Sequence, residues 1–192
     1  MTLPVSKGFT VSPSLSFVLP VHNGESHLAI DVSILLDTLV ELTPSFEILI
    51  IDDGSQDDTM AAANELARKF PQVRAIRQPL RYGMRVITQS ALKHTFGDLV
   101  IVQDVDVEPS LQEIRDIWQL RNDQQMVMVQ PPSDGTLAGS GLKMLRREVI
   151  ERLSTIREPE QHLSVERVRL DQRSTNCRAP QFLVRLKRGA SI

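Results

Sequence analysis

Three carboxylates stand at alternate positions where an apolar run ends: Leu99-Val100-Ile101-Val102-Gln103-Asp104-Val105-Asp106-Val107-Glu108, with no Lys or Arg among them. Side chains alternate along an extended chain, so Asp104, Asp106 and Glu108 share one side if strand geometry continues past Gln103. Clustered negative charges repel, and each raises the others' pKa unless a cation sits among them. A hard divalent ion, Mg2+ or Mn2+, resolves that conflict, because such ions take oxygen ligands and bind through one or two carboxylates plus a substrate's phosphates. The plainer reading of the same acids is a solvated loop, or first-turn acids complementing the dipole of a helix that opens near Leu111. Two further polar segments follow apolar runs. Asp52-Asp53-Gly54-Ser55 after Phe46 to Ile51 reads either as a turn before a capped helix or as an acid that accepts a hydrogen bond from a base N–H or a ribose hydroxyl. Pro20-Val21-His22-Asn23-Gly24-Glu25 after Leu15 is equally two-sided, with Pro ending a strand, Asn and Gly suited to a turn, and Glu25 a first-turn helix acid.

The elements that would position these residues alternate along the chain. Leu15 to Val21 predicts a buried strand, and Glu25 to Leu42 a helix, with Leu28, Val32, Leu35, Leu36 and Leu39 at helical spacing. Phe46 to Ile51 predicts the next strand, and Asp57-Asp58-Thr59 supplies N-cap candidates for a helix through about Lys69. A weaker strand over Val73 to Arg77, a helix over Tyr82 to His94, a strand over Leu99 to Gln103 and a helix near Leu111 to Leu120 continue the pattern. Near-continuous apolar strands between helices predict an α/β fold with a mostly parallel central sheet and helices on both faces. Ligands of such sheets bind beyond the carboxyl ends of the strands, which is where all three polar segments fall.

The 192 residues suit one soluble domain, expected over residues 14–192, with residues 1–13 a loose leader. Twenty-two basic against 24 acidic residues give a formal charge of −2, so no global field favours nucleic acid. The single Cys177 excludes an internal disulfide framework, and no window approaches the length of a membrane span; a cytoplasmic protein is expected. The basic stretch from Arg178 to Arg188 reads as a strand first, through the alternation in FLVRLK, and as a peripheral contact with anionic lipid second. A homo-oligomer is left open.

In order and spacing these segments resemble the family 2 glycosyltransferases of GT-A fold (the nucleotide-diphospho-sugar transferase fold). Within them the chain is similar to the polyprenol-phosphate (dolichyl-phosphate) mannosyl- and glucosyltransferase group. SFVLPVHNGESHL, FEILIIDDGSQDDT, RYGMRVITQSALKHTFGDLVIVQDVDVEPSLQEI and GSGLKMLRREVIERL carry the likeness, and FLVRLKRGASI resembles the group's closing strand and its R-x-x-G-x-S-K element. The resemblance implies that Pro20, His22 and Glu25 touch a nucleotide's base and ribose, and that Asp52, with Asp53 beside it, recognises the base. It implies that Asp104 and Asp106 are the D-x-D pair holding Mg2+ or Mn2+, with Glu108 a further metal ligand. Arg188 and Ser191 would close near the donor phosphates, and Arg85 would add positive charge there. The implied reaction is metal-dependent, inverting transfer of a sugar from a UDP- or GDP-linked donor, with Asp106 and Arg188 assigned to catalysis. The implied acceptor is a polyprenol phosphate or another nucleophile.

Two features depart from that pattern. The 35 positions from Asp106 to Gly141 are too few for the usual acceptor-side segment, and Arg85 stands where many relatives have a small residue. An alternative therefore accompanies the enzyme: a non-catalytic nucleotide-sugar-binding remnant with a regulatory or assembly role.

Overall fold

The computed structural model describes residues 13–104, 111–122, 126–130, 141–148, 164–169 and 182–187. The leader expected over residues 1–13 lies, but for Pro13, outside them. Strands β1 (Leu15–Val21), β2 (Phe46–Asp53), β3 (Val73–Gln78) and β4 (Leu99–Gln103) alternate with helices α1 (Leu28–Leu42), α2 (Thr59–Lys69) and α3 (Met84–His94). Helix α4 (Leu111–Gln119) and strands β5 (Met126–Gln130), β6 (Leu142–Arg146), β7 (Ser164–Arg169) and β8 (Phe182–Lys187) follow. All eight strands form one sheet in the order β3-β2-β1-β4-β6-β5-β8-β7. β1 to β4 are mutually parallel, and the sheet then continues through antiparallel neighbours. Because the antiparallel steps alternate, only β6 and β8 run against the other six.

Burial on two faces explains the unbroken apolar strands. Phe17, Leu19 and Val21 of β1, Ile48 and Ile50 of β2, and Leu99 and Ile101 of β4 pack on one face. Their partners are Leu28, Val32, Leu35 and Leu39 of α1, Ala63 and Leu66 of α2, and Ile114, Ile117 and Trp118 of α4. The intervening Val18, Leu49, Ile51, Val100 and Val102 meet Ile87 and Ala91 of α3 on the other face. A strand whose alternate residues both go inside has no polar positions left to betray its period. The helices thus lie on both faces, as the sequence predicts.

The element bounds shift where local chemistry overrides periodicity. α1 begins at Leu28 rather than Glu25, because the Gly24 carbonyl first takes the His27 N–H and then the Leu28 N–H in a turn. α3 begins at Met84 rather than Tyr82, because Gly83 has a φ of 77°. β2 runs two residues past Ile51 and so draws Asp52 and Asp53 into the sheet.

At the amino edge of the sheet, Glu47 and Arg147 are matched within the chain. Glu47 accepts from the Ser16 hydroxyl at 2.6 Å, the Phe96 N–H at 2.7 Å and Arg74 at 3.1 Å. The Arg147 guanidinium donates to the Leu92 and Gly97 carbonyls and to Thr95 Oγ1. The opposite edge is different.

Candidate functional site

At the carboxyl edge, β1, β2 and β3 end almost level: Val21 lies beside Asp52, Asp52 beside Arg77, and Asp53 beside Gln78. The strand order reverses between β1 and β4, which makes the gap between their ends the switch point at which open α/β sheets hold ligands. The β1–β4 ladder stops at Val18 and Val102, two residues short of Pro20, which has no N–H with which to extend it. Beyond that level β4 follows β6, with Gln103 beside Leu142 and the Asp104 N–H donating to the Gly141 carbonyl. The two strand ends therefore part at Pro20, leaving Asp104 on the far side of the crevice from His22.

Asp52 and Asp53 are both fully buried. Asp52 Oδ1 accepts the Ser55 N–H at 2.9 Å in a side-chain turn that closes the end of β2. Its Oδ2 lies 3.4 Å from Arg77 Nε, near enough to pair charge, but forms no hydrogen bond. Arg77 is half-exposed and anchors itself through Nη2 on the Ser55 carbonyl at 2.9 Å. Asp53 Oδ1 accepts the Tyr82 N–H at 3.0 Å, and its Oδ2 too is buried without a partner. A buried acceptor left unmade costs about 1–3 kcal/mol, and more when charged, so two at adjacent residues are an uncommon expense for a fold to carry.

His22 Nδ1 lies 3.0 Å from the Asp53 carbonyl. A carbonyl only accepts, so Nδ1 carries the proton, and Nε2 is then free to accept from the Asn23 amide at 3.3 Å. Asn23 takes a left-handed φ of 53°, which turns the chain sharply toward the β2 loop. Glu25 is exposed, and its N–H donates to Asp57 Oδ2 at 3.3 Å. Arg85 is exposed in the first turn of α3, a turn that contains no acid. Pro20 is buried.

The fold thus brings Pro20, His22, Glu25, Asp52 and Asp53 onto one edge, with Asp104 across the switch point and Arg85 at the start of α3. Asp106, Glu108, Arg188 and Ser191 lie outside the described residues. The N-cap of α2 falls among the expected candidates Asp57, Asp58 and Thr59. The N-cap residue of α2 is Asp58, and it makes no side-chain capping bond. Asp57 instead takes the Thr59 N–H at 3.1 Å and the Thr59 hydroxyl on Oδ1. The sequence reading also passed over Arg77, whose opposite charge to Asp52 becomes visible only once the two are known to be cross-strand neighbours.

The Thr59 hydroxyl holds the Asp57 carboxyl below its ordinary value, with the Thr59 and Glu25 N–H groups adding to the effect. A folded value below the unfolded one contributes stability that is present above the unfolded value and lost as pH falls through the folded one. Asp57→Asn is accordingly expected to flatten the dependence of the melting temperature on pH below about 4, measured from pH 6 downward against the unchanged chain. Identical slopes would show that Asp57 titrates alike in both states.

Over 107 residues the chain is 28% identical to the dolichyl-phosphate beta-glucosyltransferase of Trichomonas vaginalis, a match that covers 53% of this chain and 32% of that protein. Its fold is similar to that of the mannosyltransferase PcManGT of Pyrobaculum calidifontis, solved with GDP-Man and Mn2+. There the TM-score is 0.53 and the identity 21%, over 75% of this chain and 47% of that one. It is similar also to glucosyl-3-phosphoglycerate synthase of Mycobacterium tuberculosis, solved with Mn2+, UDP and phosphoglyceric acid. The TM-score is 0.51 and the identity 19%, over 71% of this chain and 57% of that one. The chain therefore spans about a third of the curated relative and about half of the solved proteins. Among the described residues, no helix is long and apolar enough to cross a membrane. The family model of Glycosyl transferase family 2 matches residues 16–185, nearly the whole chain, and the chain belongs to that family.

Proposed function

We propose that this domain transfers a sugar, with inversion, from a UDP- or GDP-linked donor to a polyprenol phosphate or another acceptor. The observation that carries the reading is the pair of buried carboxylate oxygens on Asp52 and Asp53 at the switch-point edge that accept no hydrogen bond. A nucleoside offers N–H and O–H donors that would satisfy them. Asp52 would take the base, with Asp53, His22, Glu25 and Pro20 around the base and ribose. Neighbouring strands lie about 4.8 Å apart, so β4 stands about 10 Å from β2 across β1, a distance over which a nucleoside can extend toward its phosphates. Asp104, Asp106 and Glu108 would hold Mg2+ or Mn2+ there, since an all-oxygen donor set suits a hard divalent ion. When bound, that ion would offset the charge that builds on the departing nucleoside diphosphate. Arg85, Arg188 and Ser191 would contact the donor phosphates, the two arginines supplying charge-assisted hydrogen bonds. The PcManGT and mycobacterial synthase structures, which hold GDP-Man or UDP with Mn2+, support this assignment by likeness of fold. The single Cys177 is in keeping with a cytoplasmic domain.

A second reading keeps the donor site and drops the chemistry. It is favoured by the short interval between Asp106 and Gly141. One experiment separates the two. The purified chain is given Mn2+, radiolabelled UDP-glucose or GDP-mannose and a short-chain polyprenyl phosphate. Product that disappears with EDTA supports transfer. Metal-dependent donor binding with no turnover on any acceptor supports the binding remnant, and failure to bind either donor defeats both.

A further inference from the structure

Three consecutive backbone amides of the loop after β1 are each captured by a different side chain from the loop after β2 or the first residue of α2. The Asn23 N–H donates to Ser55 Oγ at 2.9 Å, the Gly24 N–H to Thr59 Oγ1 at 2.8 Å and the Glu25 N–H to Asp57 Oδ2 at 3.3 Å. The exchange is reciprocal: Asn23 Oδ1 accepts the Gln56 N–H at 2.9 Å, and the His22 ring donates to the Asp53 carbonyl. We propose that Ser55, Asp57 and Thr59 form a clasp that sets the backbone of residues 22–25, making them positioning residues for the contacts of His22 and Glu25 with the nucleotide. The inference rests on the nucleotide-sugar reading above and assigns to it residues that touch no ligand.

Successive N–H groups around a left-handed residue make a concavity of positive potential. Left open, it would draw any anion or leave three donors unmet. Here the chain fills it with its own oxygens. Thr59 is fully buried, and its hydroxyl works in both directions, accepting from Gly24 while donating to Asp57 Oδ1. Ser55 ties the clasp to the base-recognising acid, because its own N–H closes the turn on Asp52 Oδ1. A displacement of either loop would therefore move His22, Glu25 and Asp52 relative to one another.

The two oxygens of Asp57 separate this role from helix capping. Oδ1 serves Thr59 at the start of α2, whereas Oδ2 serves only the Glu25 N–H. In Asp57→Asn the amide oxygen keeps the Thr59 contacts, and the amide nitrogen then faces the Glu25 N–H, donor against donor. Loss of one such bond is expected to weaken Mn2+-dependent binding of UDP or GDP about three- to tenfold by calorimetry. The melting temperature of this exposed-site variant falls modestly at neutral pH, because the stability contributed by the ionised Asp57 goes with its charge, and the chain stays folded at the temperature of the titration. Thr59→Val, which breaks both directions of the relay, should weaken binding further, and Thr59→Ser, which keeps the hydroxyl, should restore it. If the unchanged chain binds nucleotide and Asp57→Asn binds it equally well, or if Thr59→Ser binds as poorly as Thr59→Val, the clasp has no positioning role and the nucleotide reading stands. If the unchanged chain binds neither nucleotide, that reading falls and the clasp inference with it. Should Thr59→Val not fold, the comparison of Asp57→Asn with the unchanged chain decides alone.

Discussion

Asp104→Asn is expected to lower sugar transfer by about two to three orders of magnitude, the range seen when one preorganised electrostatic contact to a developing charge is removed. The expectation follows from where Asp104 stands. β4 has left β1 by this point, the Asp104 N–H is fixed on the Gly141 carbonyl, and the residue opens the segment carrying Asp106 and Glu108. Replacing the carboxylate by an amide keeps the shape and removes a full charge, so under the proposed function a divalent cation beside the donor phosphates would lose one anionic ligand. The measurement is the initial rate with saturating Mn2+, beside the melting temperature of the same preparation. A variant that melts normally and retains rates within threefold of the unchanged chain would remove Asp104 from the site. Glu41→Gln is a fitting control, since Glu41 is an exposed partner of Arg115 on the outside of α1.

The second large effect is on stability. Gly54 has a φ of 73°, and a Cβ built there would fall 2.8 Å from both the Arg81 nitrogen and the Leu80 carbonyl carbon. Both obstacles are backbone, which cannot rotate aside. Left-handed strain costs an L-residue about 1–2 kcal/mol, and overpacking adds about 1–3 kcal/mol. Gly54→Ala should therefore destabilise the fold by about 2–5 kcal/mol. For a chain of this size that is a fall of roughly 4–20 °C in melting temperature. The loop it displaces carries Tyr82, whose N–H satisfies Asp53, so nucleotide binding should weaken as well. Gly83 provides the comparison. With a φ of 77° and a ψ of 174° it holds a conformation that essentially only glycine adopts, so Gly83→Ala is strained by its backbone alone, since a Cβ there would meet nothing within 4 Å. A Gly54→Ala melting temperature within about 2 °C of that of the unchanged chain would show that the approach of Leu80 and Arg81 to Gly54 is not held in solution.

Much of the parallel half could be read from the chain because its physics is local. β1, β2 and β4 are short apolar runs ended by polar or turn-forming residues, and burial on both faces leaves only Ser16 and Glu47, each second in its strand, as polar interruptions before those ends. Bounds erred where a single residue decided: Gly83 held back α3, the Gly24 carbonyl held back α1, and pairing with β1 and β3 carried β2 on to Asp53. The second half was less legible. MVMVQ and SVERVR are brief, and the charges of SVERVR mask its alternation, so neither was anticipated as the strands β5 and β7. The second partner of Asp57 was out of reach for a related reason. A carboxylate two residues before Thr59 reads as a helix cap along the chain, and it does take the Thr59 N–H, but its other partner, the Glu25 N–H, is 32 residues away.

By itself, the sequence determined which chemical groups arrive at the ends of β1, β2 and β4, and that these ends share an edge. It could do so because strands joined through helices run parallel and present their carboxyl ends to the same side. Only the tertiary structure decided that β1 lies between β2 and β4, that Asp52 meets Arg77, and that the amides of residues 23–25 close on Ser55, Thr59 and Asp57. Such pairings depend on register between strands, and register is set by how the two faces of the sheet pack against α1 to α4, which no local run of residues encodes.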